Sequence, residues 1–125
     1  MIKKDILIRE DIELLVNTFY DKIKKDDTIG YFFTEIANVD WPTHLPKMYD
    51  FWESILLGSG EFKGNPMAKH MQLNLKSKLN PAHFEHWLQL WQLTVDELFI
   101  GEKAEETKTR AKHIAGVIAY KISQQ

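Results

Sequence analysis

Apolar side chains recur at steps of three and four residues along most of this 125-residue chain, with polar side chains between them. That spacing places the apolar residues on one face of an α-helix, and the alternation typical of a strand is not seen. The first stripe lies in a helix predicted from about residue 9 to 26. Its members are Ile12, Leu15, Val16, Phe19 and Ile23. The pattern predicts an all-α protein.

A second helix is predicted after a short connector. Thr43 is the expected N-cap, because its side chain can accept a hydrogen bond from the first turn. Pro46 is tolerated only in that first turn, where a backbone N–H has no partner within the helix. The helix is expected to run to about Leu57 and to stop at Gly58.

Turn signals also mark the other helices. A long helix is predicted from Asn80 to about residue 100, since a capping side chain followed by Pro81 is a strong start signal. The last long helix covers about residues 103–123. Short helical pieces are expected near 31–33 and after Pro66. The prediction is four substantial helices and two short ones.

The second helix carries a histidine on its apolar face. His44, Met48 and Phe51 fall in one stripe because they follow helical spacing, and Trp52 lies beside it. Two interpretations of His44 are open at this point. It is either a core histidine with its hydrogen bonds satisfied or a group that faces a ligand pocket.

The helix after Asn80 has an unusually broad apolar arc. Its members are Phe84, Trp87, Leu88, Trp91, Val95 and Leu98. Such an arc is typical of a central helix that packs on most of its circumference. Trp87 and Trp91 lie one turn apart, and one interpretation is that both are core residues. A buried indole N–H nevertheless needs an acceptor, which a bound ligand would supply.

Two further residues are candidates for ligand chemistry. Tyr20 lies at the edge of the first apolar stripe, so its hydroxyl either points into a cavity or reaches solvent. His70 lies in a very short predicted helix between a proline and a loop. Neutral imidazole is the commonest metal ligand in proteins, although a lone histidine is more often structural.

A zinc site is the alternative metal chemistry. His83 and His86 are three residues apart, so they share one helical face and could chelate a zinc ion together. No third ligand is evident near them, and two histidines at the edge of an apolar arc are the simpler explanation. His113 falls off the apolar face of the last helix and is expected to be exposed.

The composition excludes several classes of partner. With a formal net charge of −2, no face concentrates lysines as a nucleic-acid site would, and Lys24-Lys25 are expected to be a solvated helix end. No run approaches the length of a membrane span, and the first residues lack the apolar core of a signal peptide. We therefore expect a cytoplasmic protein that binds neither nucleic acid nor membrane. The absence of cysteine removes disulfides and thiolate metal sites.

Taken in order, these features resemble the truncated haemoglobins, and within them the third group, over nearly the full length. The matching pieces are Phe19-Tyr20, Phe33, His44 followed by Phe51-Trp52, the loop LLGSGEFKGNP, Lys69-His70, and the segment HFEHWLQLW with Trp87. None of these pieces is specific alone. Their order and spacing together carry the resemblance.

The resemblance implies a truncated globin fold, a two-over-two helical sandwich that forms one globin domain over residues 1–125. It implies that His70 is the proximal ligand of a haem iron. Tyr20 and Trp87 would then donate hydrogen bonds to a bound diatomic ligand, and His44 would gate the distal side of the pocket.

The resemblance also implies which residues line the pocket. They are Phe19, Phe33, Met48, Phe51, Trp52 and Phe84, with Lys47 and Lys69 meeting the haem propionates. Without cysteine no thioether link can form. The expected cofactor is therefore haem b, that is iron protoporphyrin IX, bound non-covalently.

The function implied is reversible binding of dioxygen and other diatomic ligands at a five-coordinate iron with a polar distal pocket. Detoxification of nitric oxide or peroxide would be an enzymatic extension of that chemistry. It would need a separate reductase, because no dinucleotide or flavin fingerprint occurs in the chain. A haem-based sensor or carrier, and a haem-free interaction module of globin shape, are the alternatives.

Overall fold

The computed structural model describes residues 3–31, 40–58 and 81–124. Four long helices lie within them: α1 (Arg9–Lys24), α2 (Trp41–Leu56), α3 (Pro81–Leu98) and α4 (Glu102–Ser123). Among the described residues the β-type pairing is limited to one isolated bridge, between Lys4 and Phe99. The all-α prediction is confirmed. Of the two predicted short helices, only the start of the first falls in a described range, where residues 30 and 31 are helical.

The start of α2 differs from the sequence prediction. Asp40, not Thr43, is the N-cap, and the helix begins at Trp41. The Asp40 carbonyl already accepts hydrogen bonds from the backbone N–H groups of Thr43 at 3.1 Å and His44 at 2.8 Å. The Thr43 hydroxyl donates to the Asp40 carboxylate at 2.8 Å, so the two side chains hold this end together.

Pro46 therefore lies inside α2 and not in its first turn, which corrects the second expectation. A proline at this position has no N–H to donate to the carbonyl of Pro42, four residues earlier. The helix loses one hydrogen bond near its beginning and continues to Leu56.

The helices form two packed pairs. α1 packs against α2, α3 packs against α4, and α1 also packs against α3, which joins the pairs. The fully buried centre lies at this junction and includes Phe19, Trp91 and Val95. No helix in the described ranges has the length and apolar character needed to cross a membrane.

The N-terminal segment closes one end of the sandwich. Gly101 precedes α4 and has no side chain to cap it, and Asp5 supplies the cap instead. The Asp5 carboxylate accepts hydrogen bonds from the backbone N–H groups of Lys103 at 2.9 Å and Ala104 at 2.8 Å. Gly101 has φ +138°, and a Cβ there would lie 2.5 Å from Asp5 Cγ. Glycine is thus required for this close approach.

Candidate functional site

α1 presents two consecutive aromatic residues to the interior. Phe19 is 1% exposed and Tyr20 is 7% exposed, and their rings meet edge to face with centroids 5.1 Å apart. The Tyr20 hydroxyl is buried and does not reach solvent, which decides between the two positions left open by the sequence. Burial raises the pKa of the Tyr20 hydroxyl far above its ordinary value. The phenol therefore stays protonated and remains a hydrogen-bond donor.

α2 brings His44 to the same place. His44 Nε2 lies 3.3 Å from the Tyr20 hydroxyl oxygen, and the two rings meet edge to face at 5.3 Å. His44 is half-buried, as expected for the apolar face of its helix. A phenol and an imidazole thus form a polar pair against the aromatic core.

α3 adds the tryptophans. Trp91 is 1% exposed and stacks on Trp52 at 4.6 Å and on Trp87 at 6.2 Å. Phe19 meets Trp87 edge to face at 5.6 Å and Trp91 at 4.9 Å. Trp87 is half-buried. Through its contacts with Trp91 and Phe19 it links the stacked tryptophans to the ring next to Tyr20.

One buried polar atom of this array has no partner within the described ranges. The indole N–H of Trp91 is buried and makes no hydrogen bond among the described residues. The sequence prediction that a buried indole here needs an acceptor therefore applies to Trp91 within this part of the chain. Leaving a buried donor unpaired costs about 1–3 kcal/mol.

The remaining predicted pocket residues are spread over α2 and α3. Met48 and Phe51 pack against the core yet stay half-buried, whereas Trp52 is 4% exposed and belongs to the tryptophan stack. Phe84 is half-buried and Lys47 is exposed. Three further predicted residues lie outside the described ranges, namely Phe33, Lys69 and His70.

Of the two histidines considered for zinc, His86 has a carboxylate partner. His86 Nε2 lies 2.7 Å from Asp26 Oδ2, and the Asp26 carboxylate also accepts hydrogen bonds from the N–H groups of Thr28 and Ile29. Burial lowers the pKa of His83. The described residues contain no group of three or more side chains that could hold a metal ion. His113 is exposed, as predicted.

Two residues at this site were missed by the sequence analysis. The ring of Trp41 lies 5.2 Å from that of Tyr20 and 5.7 Å from that of His44. Lys24 Nζ lies 4.4 Å from the Trp41 ring centroid. The available signal was an aromatic residue three positions before His44. It was overlooked because the helix was expected to begin after it.

The residues present fit a flat, largely apolar group with a small polar ligand. Met48, Phe51 and Trp87 pack against the core but keep part of their apolar surface uncovered. The polar groups beside them, the Tyr20 hydroxyl and the His44 imidazole, suit an uncharged or partly negative ligand. Sites for small cofactors combine apolar walls with a few such polar groups in the same way.

The sequence matches the bacterial-like globin family over residues 5–119. Since this match covers nearly the whole chain, the chain belongs to the bacterial-like globin family. Membership of a globin family implies that the chain binds haem.

One curated sequence and one crystal structure, both from Campylobacter jejuni, illustrate where in that family it lies. The group 3 truncated hemoglobin ctb is 30% identical over 116 residues, which are 90% of this chain and 89% of the relative. A crystal structure of a group III truncated hemoglobin matches with a TM-score of 0.84 over 97% of this chain and 95% of the other, at 29% identity. The truncated globin fold and the resemblance to the third group are confirmed.

Proposed function

We propose that this chain binds haem b non-covalently and uses it to bind dioxygen or another diatomic ligand reversibly at a five-coordinate iron. The observation that carries the proposal is the pairing of Tyr20 with His44, in which a buried phenol meets an imidazole at 3.3 Å. This pair supplies polar contacts on a face otherwise made of aromatic and aliphatic side chains. The globin family of the chain supports haem as the cofactor.

Three groups of residues would hold the haem. His70 is the proposed iron ligand, because imidazole is the usual proximal ligand in globins. The apolar contacts would come from Phe33, Met48, Phe51, Trp52 and Phe84, and the propionates would meet Lys47 and Lys69. When bound, the haem supplies an iron whose open coordination position accepts a diatomic ligand.

Tyr20 is the proposed principal donor to that ligand. Its raised pKa keeps the hydroxyl protonated, and the nearby His44 Nε2 helps to orient it. Trp87 contributes an indole N–H as a second donor, and Phe19 helps to exclude water. Each buried hydrogen bond contributes about 1 kcal/mol, and more toward a charged acceptor, so two slow dioxygen release about tenfold to hundredfold. Carbon monoxide is less polar and gains less.

The absorption spectrum of purified protein reconstituted with hemin tests cofactor and ligand together. We expect a Soret band in the wild type that is weakened or shifted in His70→Ala, with a matching change in the ferrous carbon monoxide spectrum. His113→Ala is the matched control, because His113 is an exposed histidine on α4. A wild type that takes up no haem, under conditions that load another globin, would contradict the proposal and favour the interaction module.

Detoxification is the enzymatic extension that we propose for the same site. A firmly held polar ligand suits redox chemistry better than transport, and a separate reductase would supply the electrons. Nitric oxide, dioxygen and one electron give nitrate. Repeated nitrate formation that stops without added reductant would support this activity, and binding without nitrate formation would favour a sensor or carrier.

A further inference from the structure

Trp41 is in contact with both polar groups of the candidate site. Its ring lies 5.2 Å from the Tyr20 ring, tilted by 58°, and 5.7 Å from the His44 ring at 82°. Trp41 opens α2, and His44 follows three residues later on the same helical face. One half-buried indole therefore touches the phenol and the imidazole whose mutual contact defines the site.

α1 holds this indole from the other side. Tyr20 and Lys24 are one helical turn apart, and the Trp41 ring lies against both. The 4.4 Å separation between Lys24 Nζ and the ring centroid is the shortest of three cation–ring contacts among the described residues; the others are 5.8 and 5.9 Å. An ammonium group over the face of an indole is attracted by the ring quadrupole.

We propose that Trp41, held by Lys24, is a positioning residue that keeps His44 against Tyr20 and so limits access of a diatomic ligand to the site. This inference rests on the proposed function. Movement of the His44 ring away from Tyr20 disturbs its edge contact with Trp41 as well. The Lys24 contact in turn resists displacement of Trp41. We call the arrangement with His44 against Tyr20 the closed arrangement. Lys24 thus stabilises it from the surface of α1, at a distance from the ligand.

Trp41→Leu is the direct test on the full chain. We expect the association rate of carbon monoxide to rise about tenfold, because the edge contact with His44 and the tilted contact with Tyr20 are both lost. Trp41→Phe keeps an aromatic edge and should restore most of the wild-type rate. An unchanged rate in a Trp41→Leu protein with wild-type helix content would overturn the proposal.

Lys24→Met tests the same idea without changing the interior, since Lys24 is exposed. It should raise the association rate about twofold to fivefold, the range expected for one exposed cation–ring contact. Lys25→Met is the matched control, because it removes the same charge one residue later, where no aromatic ring is in contact within the described part of the chain. Equal rates in these two variants would also overturn the proposal.

Nuclear magnetic resonance separates this inference from the function on which it rests. In the purified full chain, with or without haem, the ring protons of His44 should carry ring-current shifts from Trp41 and Tyr20. Trp41→Leu should reduce them, Lys24→Met should reduce them less, and Lys25→Met should leave them unchanged. A wild type that shows no Soret band with hemin would contradict the proposed function. Unaltered ring-current shifts of His44 in Trp41→Leu would contradict the positioning role of Trp41.

Discussion

The two ends of α1 handle polar groups in opposite ways. At its beginning lies the N-terminal corner (residues 4–11 and 99–104), where two aspartate carboxylates each accept hydrogen bonds from several donors. Asp11, for example, accepts from the backbone N–H groups of Leu7 and Ile8 and from the Lys4 ammonium group. Toward the other end of α1 lies the aromatic cluster (Phe19, Tyr20, Trp41, His44 and Trp87). There the Tyr20 hydroxyl and the His44 imidazole meet at 3.3 Å among ring contacts. The first arrangement stabilises the fold, whereas the second contains the polar groups that we propose contact a ligand.

The electrostatics of the corner support this contrast. Burial, the largest influence on the Asp5 carboxyl, would raise its pKa. The backbone hydrogen bonds from Lys103, Ile6 and Ala104 outweigh it, so the pKa of Asp5 is lowered. Burial would also raise the pKa of Asp11. The hydrogen bonds from Lys4, Leu7 and Ile8 outweigh burial, so the pKa of Asp11 is lowered. Tyr20 shows the reverse balance, since burial dominates and raises its pKa.

The largest effect is expected from Gly101→Ala in the N-terminal corner. The new Cβ would lie 2.5 Å from Asp5 Cγ, at a φ of +138° that side-chain-bearing residues rarely adopt. Strain and loss of the cap together should lower the free energy of unfolding by about 3 kcal/mol, measured by urea denaturation. Gly116→Ala is the control, because a Cβ added at Gly116 would have nothing within 4 Å. Equal losses in both variants would show that the corner is not special.

Tyr20→Phe should have the second largest effect, on ligand binding and not on folding. Without the hydroxyl, dioxygen release measured by stopped flow should accelerate about tenfold or more, while carbon monoxide release changes less. Tyr120→Phe removes a hydroxyl that is exposed on α4, at 64% exposure of the residue, and should leave both rates unchanged. Equal acceleration for both gases would indicate a packing defect and not a lost hydrogen bond.

The sequence predicted the fold because each long helix carries a continuous apolar stripe. The beginning of α2 was misplaced because the residues up to Pro42 were interpreted as a connector, and Pro46 was expected in the first turn. The Asp40 carbonyl nevertheless starts the helix, through bonds that a residue pattern does not specify.

The site was partly predictable for a related reason. Helical periodicity put His44 on an inward face and Tyr20 at the edge of one, and the packing of α1 against α2 decides that the two side chains meet. The contact of Lys24 with Trp41 joins the end of one helix to the start of the next, and the Asp5 cap joins the N-terminal segment to the start of α4. Such contacts depend on tertiary arrangement and leave no local spacing signal.

Asp5→Asn tests the electrostatic half of the comparison. Because the folded-state pKa lies below the ordinary value of 3.8, the stabilisation is fully present above pH 3.8 and is lost as pH falls through the lower folded-state value. At neutral pH the variant should lose about 1 kcal/mol, because an amide keeps only one of the two acceptor oxygens and carries no charge at the helix N-terminus. Below pH 3.8 its stability should converge with that of the wild type. Asp21→Asn, at an exposed position on α1, should leave the pH profile of stability unchanged.

The smallest effect is expected from Thr107→Val. Whether the free energy of unfolding rises or falls is the test. The Thr107 hydroxyl is fully buried and has no hydrogen-bond partner among the described residues. Replacing it with a methyl group of similar volume should raise the free energy of unfolding by about 0.5–1 kcal/mol. Thr94 is equally buried, but its hydroxyl donates to the Leu90 carbonyl at 2.7 Å, so Thr94→Val should lower stability by a similar amount. Losses in both variants would mean that the Thr107 hydroxyl is paired in solution.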